Sequence, residues 1–269
     1  MTTEHPYVHM TTMWARAVIG VLSLLFLTGH AWSAPMPITG RNFVIVVDPG
    51  HGGSNVGCVN VDGTYPEKRL TLEVATALRV ALAGRLPRAE VYLTREVDGT
   101  GTLAERTALA NELGADLLVS IHANASPGHD QTGFETFVLD GKIGRIDVLA
   151  TAARDEHAAS AAGVSGSDPV GLMLRELRLM TNQRRSGQLA AAIQRQQAAR
   201  FPQRVNRGVR QGPFDVLMGA QMPAVLTEIG FLDHAGEGES LRSAAVQRRI
   251  ADGLADAIVD YYRQLARPG

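Results

Sequence analysis

Four ionisable residues stand out by what precedes them. His51 belongs to Val47-Asp-Pro-Gly-His-Gly-Gly53, directly behind the apolar run Phe43–Val47. His122 follows Asp116-Leu-Leu-Val-Ser-Ile121, and Glu228 follows Pro223-Ala-Val-Leu-Thr227. Glu67 sits in Tyr65-Pro-Glu-Lys68, just ahead of a helical pattern. Short continuous apolar runs read as strands buried on both faces. In an open α/β sheet the carboxyl ends of such strands carry the chemistry. If the strands run parallel, the residues they deliver share one sheet edge, and the loop leaving the first strand can bring Glu67 to it.

Two histidines and a carboxylate match the donor set of a catalytic zinc site, in which water keeps the fourth position. Such an ion lowers the pKa of its bound water to about 7. A further carboxylate takes the water proton and passes it to the leaving amine. His51, Glu67 and His122 would hold the metal and Glu228 would be general base and acid, although spacing does not decide which glutamate takes which role. Each residue also has an ordinary structural explanation. His51 could be a loop histidine, His122 a satisfied core histidine and Glu67 a helix N-terminal carboxylate favoured by the dipole. Glu228 could pair with Arg95 or Arg106. All four explanations holding together on one sheet edge is the less economical account.

The elements that must position these residues follow in order. A strand at Phe43–Val47 breaks at Asp48-Pro49-Gly50, a strong turn signal. Leu70, Val74, Ala77, Leu78, Ala81 and Leu82 repeat at helical spacing, which predicts a helix over Lys68–Leu86, ended by Pro87. A second strand covers Glu90–Thr94. A helix covers Leu103–Leu113, with Thr102 and Glu105 in a capping-box pattern and Gly114 at its end. Strands at Asp116–Ile121 and Gly133–Leu139 come next. Asp140 to about Arg185 reads as an alanine-rich and polar insertion without strands. Within it Ile146–Ala162 could be helical, and Asp168-Pro169 opens a second helix with the apolar stripe Val170, Met173, Leu174 and Leu177. A helix at Ser186–Arg200, short strands at Pro213–Leu217 and Ala224–Thr227, and a closing helix at Leu241–Leu265 complete the pattern. Alternating strands and helices predict an α/β fold: one domain, about Arg41–Pro268, with a mainly parallel, mixed central sheet, helices on both faces and a helical insertion at 140–185.

Composition narrows the function. The chain has 269 residues, 45% of them hydrophobic, and a formal net charge of -1, so charge makes no case for nucleic acid as a partner. Cys58 is the one cysteine, which excludes an intrachain disulfide and leaves any metal to His, Asp and Glu. Arg16, the apolar run Ala17–Leu27 and Ala31-Trp32-Ser33 form a secretory leader pattern, with cleavage expected after Ser33. The apolar run is too short for a comfortable membrane span. The leader therefore covers residues 1–33, the mature chain carries no membrane span, and Met10 or Met13 offers an alternative start.

Seen together, several segments resemble the bacterial zinc-dependent N-acetylmuramoyl-L-alanine amidases, the amidase_3 catalytic domain. They are Val47–Gly53, Pro66-Glu-Lys68, Leu93-Thr-Arg95, Glu105–Asn111, Ser120-Ile-His-Ala-Asn124, Arg207-Gly-Val209 and Pro223–Phe231, in family order, covering nearly all of Phe43–Tyr262. The resemblance implies that His51, Glu67 and His122 bind Zn2+ and that Glu228 is catalytic. It also implies the reaction, hydrolysis of the amide between N-acetylmuramic acid and the first L-alanine of the peptidoglycan stem peptide. One departure is Arg69, where the family commonly has an acidic or small polar residue. No separate wall-targeting domain is visible.

The insertion falls where periplasmic cell-division amidases carry a regulatory helix that covers the site and sends a glutamate to the zinc. Arg154-Asp-Glu-His-Ala-Ala159 is similar, which implies Glu156 as the candidate blocking residue. Opening would then need an activator protein that binds the displaced state better, docking on the stripe Val170–Leu177. The simpler alternative is a solvated helix whose stripe packs on the domain. Two other functions compete with an exported, periplasmic amidase acting in cell division: a catalytically silent peptidoglycan-binding module, and a zinc peptidase of the stem peptide.

Overall fold

A computed structural model describes residues 41–147, 149–150 and 169–266. Its elements are β1 (Val44–Pro49), α1 (Glu67–Arg85), β2 (Glu90–Leu93), α2 (Leu103–Glu112), β3 (Leu117–Asn124), β4 (Phe134–Leu139), α3 (Pro169–Arg200), β5 (Asn206–Gly212), β6 (Ala224–Phe231), α4 (Ala235–Leu241) and α5 (Ala244–Leu265). The strands form one six-stranded sheet in the order β2-β1-β3-β6-β4-β5. β2, β1, β3 and β6 run parallel. β4 runs antiparallel to β6, and β5 runs parallel to β4. This is the mixed, mainly parallel α/β sheet that the alternation of elements predicts.

The unbroken apolar runs are explained by two cores. Ile45 and Val47 of β1 face α1, α3 and α5, while Val44 and Val46 face α2 and a 3-10 turn at Asp215–Leu217. A strand with helices on both sides has no solvent face, so it has no polar alternation. Leu70, Val74, Leu78 and Leu82 of α1 recur every four residues and are all fully buried. Each such side chain contributes about 1.5–3 kcal/mol of transfer free energy. The capping box of α2 is present: the Glu105 amide donates to Thr102 Oγ1 at 3.2 Å, and the Thr102 amide donates to Glu105 Oε2 at 2.7 Å.

The structure departs from the sequence expectation at several places. β3 and β6 run past their apolar cores to Asn124 and Phe231, so His122 and Glu228 lie inside strands rather than after them. Backbone pairing carries these strands on where apolar patterning stops. β5 is a strand of polar residues, Asn-Arg-Gly-Val-Arg-Gln-Gly, on the sheet edge, where one face of pairing is enough and apolar alternation is not required. The expected strand at Pro213–Leu217 is instead a 3-10 turn at Asp215–Leu217; Pro213 has no N–H to give to a ladder. The two expected helices at 168 and 186 are one helix, α3, because nothing between Leu177 and Ser186 breaks propagation. The expected helix Leu241–Leu265 starts at Ala244 as α5, with Ser243 as its N-cap, and a short helix that was not expected, α4, precedes it.

Residues 141–147 and 149–150, in the first part of the insertion, are helical. The N-terminal half of α3 carries Val170, Met173, Leu174 and Leu177, each more than half exposed. That stripe does not pack on the domain, against the simpler of the two sequence readings; the buried residues of α3 begin at Ser186. Among the described residues no helix is long and apolar enough to cross a membrane.

Candidate active site

The turn after β1 is built by arginines. Asp48 is fully buried and accepts from Arg106 Nη1 at 2.8 Å, Ser120 Oγ at 2.6 Å and Thr94 Oγ1 at 2.5 Å. Arg106 also donates to the carbonyls of Pro49 and His51, at 2.8 and 2.7 Å. Arg95 donates to the carbonyls of Pro49 and Gly50, both at 2.9 Å. Three successive carbonyls are thus collected by two guanidinium groups, and neither arginine pairs with Glu228. The turn brings His51 into the left-handed region, with φ of 61°. A non-glycine residue pays about 1–3 kcal/mol for that conformation, and such strain clusters at functional sites.

His51, Glu67 and His122 meet there. Their ligand atoms all lie within 4.8 Å of one another. Glu67 is 3% exposed and lies between the rings: Oε2 is 3.1 Å from His51 Nε2, and Oε1 is 3.0 Å from His122 Nδ1. The backbone amides of Cys58 and Ala123 each donate to the Glu67 carboxylate at 2.9 Å. Burial alone would raise the Glu67 pKa, but the bonds and charges of His122 and His51 outweigh it and hold the group well below the usual carboxylate range. For His51 burial opposes charging, and Glu67 outweighs it and raises the pKa.

These residues fit a divalent metal such as zinc on two grounds. The donor set is two imidazoles and one carboxylate, with no thiolate. His51 Nδ1 lies 2.8 Å from Asn55 Oδ1, which accepts its hydrogen and leaves Nε2 as the ligand nitrogen. Gly50 leaves the room: a Cβ there would fall 2.3 Å from His122 Cε1. Cys58 is not a competing ligand. Burial, then Glu67, pushes its thiol pKa far up, and Sγ donates to the Ala123 carbonyl at 3.3 Å.

Glu228 lies directly across from His122 as its Cα partner between β3 and β6. Its Oε2 is shielded from solvent and has no hydrogen-bond partner among the described residues. Burial first, then the charges of Glu67 and Glu135, raise its pKa well above the usual carboxylate value. Sequence reading missed Glu135, the Cα partner of Glu228 on β4. The signal was a charged residue within an otherwise apolar strand, Phe134-Glu-Thr-Phe137. Arg69, the departure from the family pattern, is exposed, pairs with Glu73 at 2.9 Å and lies over the Tyr65 ring. Glu156 lies outside the described residues.

The Amidase_3 profile, N-acetylmuramoyl-L-alanine amidase, matches residues 45–260. The chain belongs to this family. Among amidase relatives, CwlM of Bacillus licheniformis is 34% identical over 214 residues, covering 80% of this chain and 66% of its own length. AmiA of Escherichia coli K12 is 28% identical over 228 residues, 83% of this chain and 78% of its own. The catalytic domain of CwlV from Bacillus (Paenibacillus) polymyxa var. colistinus matches with a TM-score of 0.61 at 28% identity, over 81% of this chain and 97% of that one. An amidase from Clostridium difficile 630 matches with a TM-score of 0.63 at 26% identity, over 82% and 97%. The chain therefore spans nearly the whole of solved amidase domains, but just under two thirds of the length of CwlM.

Proposed function

We propose that this amidase is an exported zinc hydrolase. It cleaves the amide between N-acetylmuramic acid and the L-alanine of the stem peptide, in cell-wall remodelling and daughter-cell separation. The reading rests on one observation: His51, Glu67 and His122 converge beside Glu228, a half-buried carboxylate whose shielded Oε2 has no hydrogen-bond partner among the described residues.

His51 through Nε2, Glu67 through its carboxylate and His122 through an imidazole nitrogen would hold the ion. When bound, zinc supplies a Lewis acid that polarises the amide carbonyl and acidifies the attacking water. Glu228 takes the water proton at its unpaired oxygen and returns it to the leaving alanine nitrogen. Burial, with the charges of Glu67 and Glu135, raises its pKa, which favours holding the proton between the two halves of that exchange. Asn55 holds the His51 tautomer. The products are a free lactyl carboxylate on the glycan and a peptide with a new L-alanine amine.

Export is supported by the leader pattern at residues 1–33, and a periplasmic home by the resemblance of the insertion to that of periplasmic cell-division amidases. Within the insertion, Glu156 blocks the metal site, and an activator docks on the exposed Val170, Met173, Leu174 and Leu177. Glu156→Ala is expected to raise the basal rate of the isolated domain; an unchanged rate removes Glu156 from that role.

Mass spectrometry of soluble products from purified peptidoglycan tests the activity. Intact stem peptides released with zinc and not with chelator support the amidase. Shortened peptides would mean a peptidase, and binding without any release a silent module.

A further inference from the structure

The catalytic row does not stop at Glu228. His122, Glu228 and Glu135 are consecutive Cα partners across β3, β6 and β4. On the far side of β4 the ladder with β5 shifts register between Phe134 and Thr136, so Arg207 and Gly208 lie opposite Glu135. The row therefore crosses four strands and ends at Arg207 on the sheet edge, while Arg210, the Cα partner of Phe137, reaches back to Glu135 with its side chain.

Glu135 is 4% exposed. A buried carboxylate next to a second one must be paired. Asn124 Nδ2 donates to Glu135 Oε1 at 2.7 Å. Arg207 Nε is 3.5 Å from Oε2 and Arg210 Nε is 2.7 Å from it; both are ion pairs without hydrogen-bond geometry. The two arginines are not equivalent. Arg207 is occupied elsewhere: Nη2 donates to Gln131 Oε1 at 2.7 Å, Nη1 to the Thr132 carbonyl at 3.4 Å, and the group lies over the Phe231 ring. Arg210 meets Glu135 alone among the described residues, through Nε, and half of its side chain is open.

We propose that Arg210, positioned by Glu135, is a carboxylate-binding subsite that reads an acidic residue of the stem peptide two or three residues beyond the scissile amide. The inference rests on the amidase reading. A guanidinium ion-paired on its Nε side keeps its two Nη groups as a fork that matches a carboxylate in a bidentate manner. Adjacent strands are about 4.8 Å apart, so two steps from β6 to β5 span roughly 10 Å. An extended peptide advances about 3.3 Å per residue, which puts its second or third residue at Arg210. The half-exposed Arg210 guanidinium gives an acidic stem a favourable charge at this end of the row. Neutralising Glu135 does not by itself account for Arg210, because only Nε meets that carboxylate and neither Nη makes a hydrogen bond or ion pair among the described residues.

The test uses the full chain with zinc and two synthetic muramoyl-peptides, identical except that the carboxylates of stem residues two and three are free in one and amidated in the other. The wild type is expected to prefer the free acid about tenfold or more in kcat/KM. Arg210→Ala is expected to raise KM for the free acid with little change in kcat and to erase the preference, and Arg210→Lys to restore part of it. Equal cleavage of both peptides by the wild type, or an equal loss on both in Arg210→Ala, overturns the proposal. Calorimetric binding of the same peptides separates the two readings. Acid-selective binding lost in Arg210→Ala, without cleavage of the muramoyl–alanine bond, keeps the subsite and sinks the amidase. Absence of acid selectivity in binding overturns the subsite, whatever the cleavage result.

Discussion

His122 and Glu228 face each other as Cα partners on β3 and β6, so the proposed metal ligand and the proposed proton carrier are set by one register of one parallel ladder. A slip of one residue would turn either side chain to the opposite face of the sheet. Removing the acid without disturbing the strand is the cleanest test. Glu228→Gln is expected to lower kcat by about 10²–10⁴-fold while zinc binding persists. Product release and zinc calorimetry on the same preparation check it, and zinc binding lost together with activity would move Glu228 into the ligand set.

Gly50 makes a second test. Its backbone needs no special conformation, but a Cβ would fall 2.3 to 2.6 Å from ring atoms of His122. Gly50→Ala should displace that ring and weaken zinc binding by about 10–100-fold, as misplacing a ligand's support does. Far-UV circular dichroism should stay unchanged. Tight zinc binding in this variant would argue that His122 is not a ligand.

Asp48 holds the turn from beneath. Replacing it by alanine leaves Arg106, itself 6% exposed, without its counter-ion. Breaking a buried pair from one side costs about 3–5 kcal/mol. In a domain of this size that corresponds to a fall in Tm of roughly 10 °C. A thermal melt reads it directly, and a near-wild-type melting point would show that water replaces the lost partner.

Glu73 gives the pH dependence of stability. Burial works to raise its pKa, but hydrogen bonds from Tyr65, Arg69 and Gln247 outweigh it and lower the pKa. A carboxylate depressed in the folded state stabilises above its unfolded pKa of about 4.3 and loses that contribution as pH falls through the folded value. Gln247 of α5 donates to Glu73 at 2.8 Å, so the interaction ties α1 to α5. The wild-type Tm is expected to fall below about pH 5, and Glu73→Gln to flatten that part of the curve. Parallel curves for the two proteins would remove Glu73 from the acid response.

The division between sequence and tertiary structure follows the range of the forces involved. The α/β class and the capping box of Thr102 and Glu105 were legible because periodicity and capping act within a few residues; the break expected at Asp48 comes later, since β1 stays paired with β3 through Pro49. His51, Glu67, His122 and Glu228 were legible as candidates because short apolar runs point to the strands that carry or precede them. Which strands are neighbours is a non-local matter of backbone pairing. The tertiary structure alone put β6 beside β3, reversed β4 and β5, and carried β3 and β6 past their apolar cores to include His122 and Glu228. It alone made a strand of Asn206–Gly212, whose polar residues need one ladder and no core face. The row from His122 through Glu228 to Glu135 follows from that pairing, and Arg210, paired with Phe137 on the next strand, joins it through its side chain.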